Sequence, residues 1–242
     1  MTARWLEEAV EACGLTATPR FPRDLAAEVP LRLPVTLVPL PRVTPESVRD
    51  WLRRRRLHPP GTDVPRGLHG CMVARAGVGI LFHDSEEDEA EHRFTLAHEV
   101  AHFVLDQWLP RKRAVRVFGE GILPVLDGLR PPTPEESLTA LFERVSLEVE
   151  VKLMDRSPSG LFSSGRVAES ERRADRLAQE LLAPAALVTP LVRDVSEEEG
   201  VDRVVARFGL PGEAARTYVQ LLRRRLRMPR FSCQRFLGVD GG

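Results

Sequence analysis

The chain has 242 residues, and its 35 Lys and Arg balance its 35 Asp and Glu, which gives a formal net charge of zero. This balance gives no global signal for polyanion binding, and the length allows one sizeable core with a small appendage. Scattered cysteines without metal or disulfide spacing favour a reduced, cytoplasmic protein. The N-terminus predicts a charged amphipathic helix rather than a signal peptide. A membrane span would need an apolar run of about 18 residues, and the sequence has none.

The first part of the chain predicts an α+β fold. Residues 2–13 have helical periodicity, and a proline-rich loop follows them. Leu33–Leu40 predicts a short strand, whose flanking prolines are typical of a sheet edge. A helix is expected to begin at Thr44 and to end at about Arg56. The next two apolar segments, Cys71–Arg75 and Val78–Phe82, predict a hairpin.

An HExxH motif lies in the apolar helical segment Phe94–Leu105. His98 and His102 are four residues apart, which places both rings on one helix face, about 6 Å apart along the axis. This spacing suits two ligands of one metal ion, with Glu99 beside the water that the ion activates. The alternative is two core histidines satisfied by hydrogen bonds. Asp106 lies about 12 Å along the helix from His98, so the third ligand must come from another element.

The long stretch between the motif and the next helical segment has mixed signals. Thr133 and Glu136 have the spacing of a capping box, which predicts a helix start. This helix would have an apolar face formed by Leu138, Leu141, Phe142 and Val145. Residues 147–153 alternate like a strand, although their charges also suit a continued helix. Both alternatives stay open.

Residues 169–184 predict a second helix that supplies carboxylates. Glu171 and Asp175 are four residues apart and share one face. We expect Glu171 to be the third metal ligand and Asp175 to orient a ligand histidine by accepting its other ring proton. The alternative is that Glu171 is a solvated acid at a helix start, where the helix dipole favours it. Glu169 is the nearest rival as ligand.

The C-terminal region predicts a separate unit at residues 196–228, followed by a loose tail at 229–242. Two short helices flank a Gly-Leu-Pro-Gly turn, an arrangement that resembles a helix-turn-helix. The second helix ends in a basic run that could contact phosphates, Arg223, Arg224 and Arg225. The favoured alternative is a helical pair that packs on the rest of the chain with a solvated basic end. Side chains suited to reading bases, such as Asn and Gln, are sparse in this segment, and Gln220 is the exception.

Three segments, in this order, resemble signature sequences of the ImmA/IrrE family of zinc-dependent bacterial peptidases. The segment Gly70–Phe82 resembles the paired strands that precede the active helix of that family. Arg93–Phe103, RFTLAHEVAHF, is similar to the signature around the family's HExxH motif. Glu171–Pro184 resembles its second helix, which ends in a small apolar residue and a proline. Residues 107–168 make the chain longer than the family pattern, so they are expected to be an insertion that reshapes or covers the cleft.

The resemblance implies a compact, zincin-like metallopeptidase domain of the minimal gluzincin type at residues 1–195. It implies that His98, His102 and Glu171 hold Zn²⁺, with Mn²⁺ as an alternative, and that Glu99 is the general base. It also implies a narrow protein substrate, a helix-turn-helix transcriptional repressor that is cleaved in a stress or mobile-element response.

Several assignments stay open from sequence. Zinc peptidases commonly hold an extended substrate on a free sheet edge, and the candidates for it are Val78, Gly79 and Ile80. Their glycine could equally be an ordinary hairpin residue. The donor that stabilises the oxyanion could be Tyr218, His83 or His92. The competing functions are a non-catalytic DNA-binding regulator that works through residues 197–230 and a peptidase-like adaptor that binds a partner without cutting it.

Overall fold

The computed structural model describes residues 4–15, 20–57, 70–143, 145, 147 and 165–227. The chain divides into two compact units, Met1–Leu182 and Ala183–Gly242. The described elements of the first unit are α1 (Arg4–Cys13), α2 (Leu25–Glu28), β1 (Val35–Leu40), α3 (Pro45–Arg54), β2 (Gly70–Arg75), β3 (Val78–Asp84), α4 (Glu89–His102), α5 (Leu109–Phe118), α6 (Leu123–Leu126), α7 (Pro134–Glu143) and α8 (Gly165–Leu182). Those of the second are α9 (Ala185–Val192), α10 (Glu197–Phe208) and α11 (Gly212–Arg227). The architecture is α+β, as predicted, and among the described helices none is long and apolar enough to cross a membrane.

The three described strands form one mixed sheet in the order β1-β3-β2. β1 pairs with β3 in parallel, and β2 pairs with β3 as the predicted antiparallel hairpin. The edge position predicted for β1 is therefore confirmed. The prediction that Val78, Gly79 and Ile80 form a free substrate-binding edge is wrong. These residues belong to the central strand, and each is paired on the β2 side, with Gly79 and Ile80 also paired to β1.

One face of the sheet is covered by α3, where Trp51 meets the ring of Phe82 edge to face at 5.2 Å between centroids. α4 contacts β2, β3 and α8. Asp88 caps α4, because its carboxylate accepts hydrogen bonds from the backbone N–H groups of Ala90 and Glu91. Every residue from Phe94 to His102 is buried. The HExxH motif therefore lies within the core, where its polar groups need partners.

α4 continues past His102 into a π-helical turn, Phe103–Trp108, and then into α5. Pro110 explains the change of pitch, because proline has no N–H to donate to the carbonyl of Asp106. The N–H of Leu109 instead donates to the carbonyl of Val104, five residues earlier. The predicted helix is confirmed, and the turn carries it beyond Leu105.

The predicted capping box at the start of α7 is confirmed. The backbone N–H of Glu136 donates to the Thr133 hydroxyl at 3.2 Å, and the Glu136 carboxylate accepts from the Thr133 N–H at 2.7 Å. The buried residue of α7 is Ala140, whereas its predicted apolar face is exposed at Leu138, Leu141 and Phe142. Of the stretch predicted as strand or helix at 147–153, all but Leu147 lies outside the described residues.

The second unit, Ala183–Gly242, contains α9 as well as the predicted helical pair. α9 packs on both α10 and α11. Gly209 has a φ of 65° and ends α10 in the left-handed conformation, which permits the short turn into α11. The buried Tyr218 hydroxyl donates to the carbonyl of Ala183 at 2.9 Å. The tail predicted at 229–242 lies outside the described residues.

A substitution at Gly79 tests how closely the turn Phe103–Trp108 packs against the sheet. A Cβ at this position would lie 2.7 Å from Cδ2 of Phe103 and 3.0 Å from Cγ1 of Val35. We expect Gly79→Ala to lower the free energy of unfolding by about 1–3 kcal/mol through overpacking. Gly121→Ala is the matched control, since nothing lies within 4 Å of its added Cβ. Urea unfolding measures both, and equal stability of the two variants would contradict the packing described.

Candidate metal centre

The three predicted ligands come from two helices that pack against each other. His98 and His102 lie one turn apart on α4, and Glu171 lies on α8. The α4–α8 pair is the main helix–helix contact of the first unit. His98, His102 and Glu171 are 2%, 1% and 8% exposed, so water contributes little to solvating their polar atoms. Packing of these two helices therefore assembles the group.

The ligand atoms converge closely. The Nε2 atoms of His98 and His102 are 3.0 Å apart. Glu171 spans both rings, with Oε2 at 3.3 Å from Nε2 of His98 and Oε1 at 3.4 Å from Nε2 of His102. This buried group of two imidazoles and one carboxylate could hold a metal ion. The solvated-acid alternative for Glu171 does not fit its burial or its contacts.

Each histidine has a carboxylate on its other ring nitrogen. Asp175 lies 2.9 Å from Nδ1 of His98, which is the orienting role predicted for it. Asp106 lies 3.2 Å from Nδ1 of His102, in the equivalent position. Carboxylates in these positions favour the tautomer with a proton on Nδ1, and in that tautomer the Nε2 lone pairs face the acceptor oxygens of Glu171. Among these atoms there are only acceptors, so a positive charge is needed between them: a metal ion or a proton.

The electrostatics of the group favour that positive charge. Burial alone lowers the pKa of His102, but hydrogen bonds to Asp106 and Glu171 outweigh it and raise this pKa to about 9. Burial likewise opposes a charge on His98, yet its bonds to Asp175 and Glu171 raise its pKa. For Glu171, burial raises the pKa, but the two histidines hold it well below its usual range. Both rings therefore hold a proton more strongly than free imidazole does.

Glu99 is buried on α4 between the two histidines, and its charge adds to the rise in both histidine pKa values. The start of β2 lies against it. A Cβ added to Gly70 would be 2.8 Å from Cγ of Glu99 and from Cγ2 of Thr95. Only glycine permits this approach, so β2 and α4 together confine the side chain of Glu99.

Several alternatives from the sequence do not join this group. Glu169 pairs with Arg172 and its side chain is 48% exposed, so it does not replace Glu171. Asp106 is no ligand candidate in the structure either, but its contact with the ring of His102 was not predicted. The i, i+4 spacing from His102 could have revealed it, since this is the spacing of side chains that touch on a helix.

The candidate oxyanion donors are engaged elsewhere. The Tyr218 hydroxyl donates to a backbone carbonyl in the second unit. His83 and His92 contact each other, with 2.7 Å between Nδ1 of His83 and Nε2 of His92. None of these three side chains is assigned to the metal centre.

The basic run of α11 is only partly available for a ligand. Arg223 donates to the carbonyls of Val192 and Val195, so it ties α11 to the end of α9. Gln220 donates to the carboxylate of Glu197 at 2.8 Å. Arg224 and Arg225 are exposed. The predicted phosphate contacts are therefore reduced to these two arginines.

Comparison with protein-family models, with curated proteins and with solved structures found no match. The resemblance to the ImmA/IrrE family therefore stays a prediction from three sequence segments. What can be said of function depends on the group formed by His98, His102 and Glu171.

Binding of zinc to the metal-free protein should release protons. Because the pKa of His102 is raised to about 9, its ring carries a proton at pH 7 that an incoming ion must displace. We expect at least one proton to be released per ion at pH 7, with affinity that rises by about tenfold per pH unit until about pH 9. Calorimetry in buffers of different ionisation enthalpy measures the release.

The matched control is His92→Gln, which alters a histidine of the same helix outside the group and should leave the proton release unchanged. Equal zinc affinity at pH 7 and pH 9, with no proton transferred to the buffer, would contradict the electrostatics described.

Proposed function

We propose that this protein is a zinc-dependent endopeptidase. The observation that carries the proposal is the buried convergence of two Nε2 atoms and one carboxylate, each ring held by a second carboxylate, beside a confined glutamate. Two histidines and one glutamate are the ligand set of a known class of catalytic zinc sites, in which three protein ligands leave a position open. A site with a purely structural role would need a fourth protein ligand, and the described residues supply three.

The spacing of the ligand atoms supports zinc. Zinc bonds to nitrogen and oxygen are about 2.0–2.2 Å long, so the corners of a tetrahedral site lie about 3.3–3.6 Å apart. Oε2 of Glu171 lies 3.3 Å from Nε2 of His98, and Oε1 lies 3.4 Å from Nε2 of His102, which matches this spacing. The two Nε2 atoms are 3.0 Å apart, slightly closer than the tetrahedral spacing. Imidazole ligands also favour zinc over manganese, which prefers oxygen. Mn²⁺ is the alternative metal.

The chain's residues have distinct roles in the proposed reaction. Bound zinc would polarise the scissile carbonyl and lower the pKa of the attacking water. The Glu99 carboxylate accepts the proton of that water and passes it to the nitrogen of the leaving amine. Asp175 keeps the ring of His98 oriented, with a proton held on Nδ1. The burial of α4 keeps bulk water away from Glu99 and strengthens these interactions.

For the substrate, we propose a helix-turn-helix transcriptional repressor, cleaved in a stress or mobile-element response. This part rests on the resemblance of three sequence segments to the ImmA/IrrE family and on nothing else. It implies action in the cytoplasm, where such repressors work. The zincin-like character of the first unit belongs to the same proposal. In the region proposed as an insertion, α5 to α7 are the described elements that could shape the substrate cleft.

The second candidate is a non-catalytic DNA-binding regulator. The short turn between α10 and α11 and the exposed Arg224 and Arg225 favour it. The engagement of Arg223 and Gln220 within the second unit weighs against it. A double Arg224→Ala, Arg225→Ala variant separates the two functions. It should leave peptide cleavage unchanged, whereas a DNA-binding regulator would lose salt-dependent affinity for duplex DNA.

The proposal is tested by Glu99→Gln, which keeps the size of the side chain and removes its ability to accept a proton. We expect the variant to retain the metal content of the parent and to cleave about 10²–10⁴-fold more slowly. The assay incubates each protein, loaded with zinc, with the host's small helix-turn-helix repressors and detects products by mass spectrometry. Glu91→Gln, an exposed acid on the same helix, is the matched control.

Two outcomes would overturn the peptidase. Metal bound stoichiometrically without cleavage by the parent would favour an adaptor that binds its partner without cutting it. If the parent protein binds no metal, the proposal that it is a metal-dependent enzyme is refuted.

A further inference from the structure

The orienting carboxylates of the two histidines differ in their origin. Asp175 lies on α8, the helix that also carries Glu171, and its side chain is 39% exposed. Asp106 lies on the π-helical turn that extends α4, and its side chain is 17% exposed. His102 itself is almost fully buried. The His102–Asp106 contact is therefore formed within one continuous helix and is better shielded from water.

The turn that carries Asp106 is braced by one ring contact within itself and by one contact with the sheet. The ring of Phe103 stacks on that of Trp108, with centroids 6.3 Å apart and planes inclined by 20°. The same Phe103 ring packs against Gly79 of the central strand, where no Cβ would fit. The contact with Gly79 packs the turn against the sheet, and the ring stacking stiffens the turn that carries Asp106. A rigid support of this kind is what a precisely oriented ligand requires.

We propose that Asp106 is a positioning residue that orients His102 for the metal ion. Its carboxylate keeps the proton on Nδ1 of His102 and fixes the ring plane, so that Nε2 faces the ligand position. This inference rests on the proposed metal site but not on peptidase activity. It assigns the π-helical turn a function, since the turn keeps the chain helical to Asp106 although Pro110 follows.

Two substitutions of Asp106 distinguish the effect of its hydrogen-bond acceptor from the effect of its negative charge. Asp106→Ala removes the acceptor, and we expect zinc affinity to fall by about 10–100-fold, as for other carboxylates that orient ligand histidines. Asp106→Asn keeps a carbonyl oxygen in place, so its affinity should fall by less than that of the alanine variant. Zinc affinity is measured by competition with a chromophoric chelator, and Glu91→Gln should match the parent.

The second readout is the Nδ1–H proton of His102 in the zinc-loaded protein. We expect NMR to show this proton protected from solvent exchange in the parent and in Asp106→Asn, and lost in Asp106→Ala. A purely structural role of Asp106 would not distinguish the two variants in this way. If Asp106→Ala fails to fold, the test uses the Nδ1–H protection in the parent and the zinc affinity of Asp106→Asn. An Nδ1–H proton that exchanges freely with solvent in the zinc-loaded parent would overturn the proposal.

The outcomes separate this inference from the peptidase. Zinc affinity of Asp106→Ala within twofold of the parent would overturn the positioning role alone. A parent that binds zinc with a protected Nδ1–H but cleaves nothing would overturn the peptidase and support the role of Asp106. A parent without zinc affinity would overturn both.

Discussion

Two imidazole nitrogens and a carboxylate face one another within a buried helix–helix contact, and the rest of the first unit is arranged around them. Their separations of 3.0–3.4 Å are tolerable only if a positive charge lies among them. Two further carboxylates, Asp106 and Asp175, take up the remaining ring protons. Packing between α4 and α8 assembles the group, and its acceptor atoms in turn require a positive charge, either a metal ion or a proton. Fold and site are therefore linked, because separating α4 from α8 would leave buried charges without partners.

The α4 region was predictable from sequence because its information is local. Helical geometry puts His98 and His102 on one face whatever surrounds them, and the Thr133 capping box likewise depends on neighbours in the chain. Glu171 was predictable for a different reason: zinc chemistry requires a third ligand, and one later helix offers carboxylates at the right spacing. The i, i+4 rule also predicts a contact between Asp106 and His102, because side chains at this spacing touch on a helix even where they cannot share a metal ion.

The features that sequence reasoning missed depend on contacts distant in the chain. β3 lies at the centre of the sheet because β1 adds to it in parallel, and a parallel pairing has no local turn signal. The edge of β3 that a lone hairpin would leave free is therefore occupied by β1. Arg223 was one of three candidate phosphate contacts, with a solvated basic helix end as the favoured alternative, and it donates to carbonyls at the end of α9. Basic side chains near a helix end often satisfy backbone carbonyls, and a charge pattern alone does not distinguish the two uses.

The central claim is that a single divalent cation is held by His98, His102 and Glu171. Its most direct test is anomalous diffraction at the zinc edge, from crystals grown with zinc and without chelator. The account predicts one strong anomalous peak within bonding distance of both Nε2 atoms and of the Glu171 carboxylate. A zinc-loaded crystal with no peak there, or with Glu171 turned away from the two rings, would contradict it.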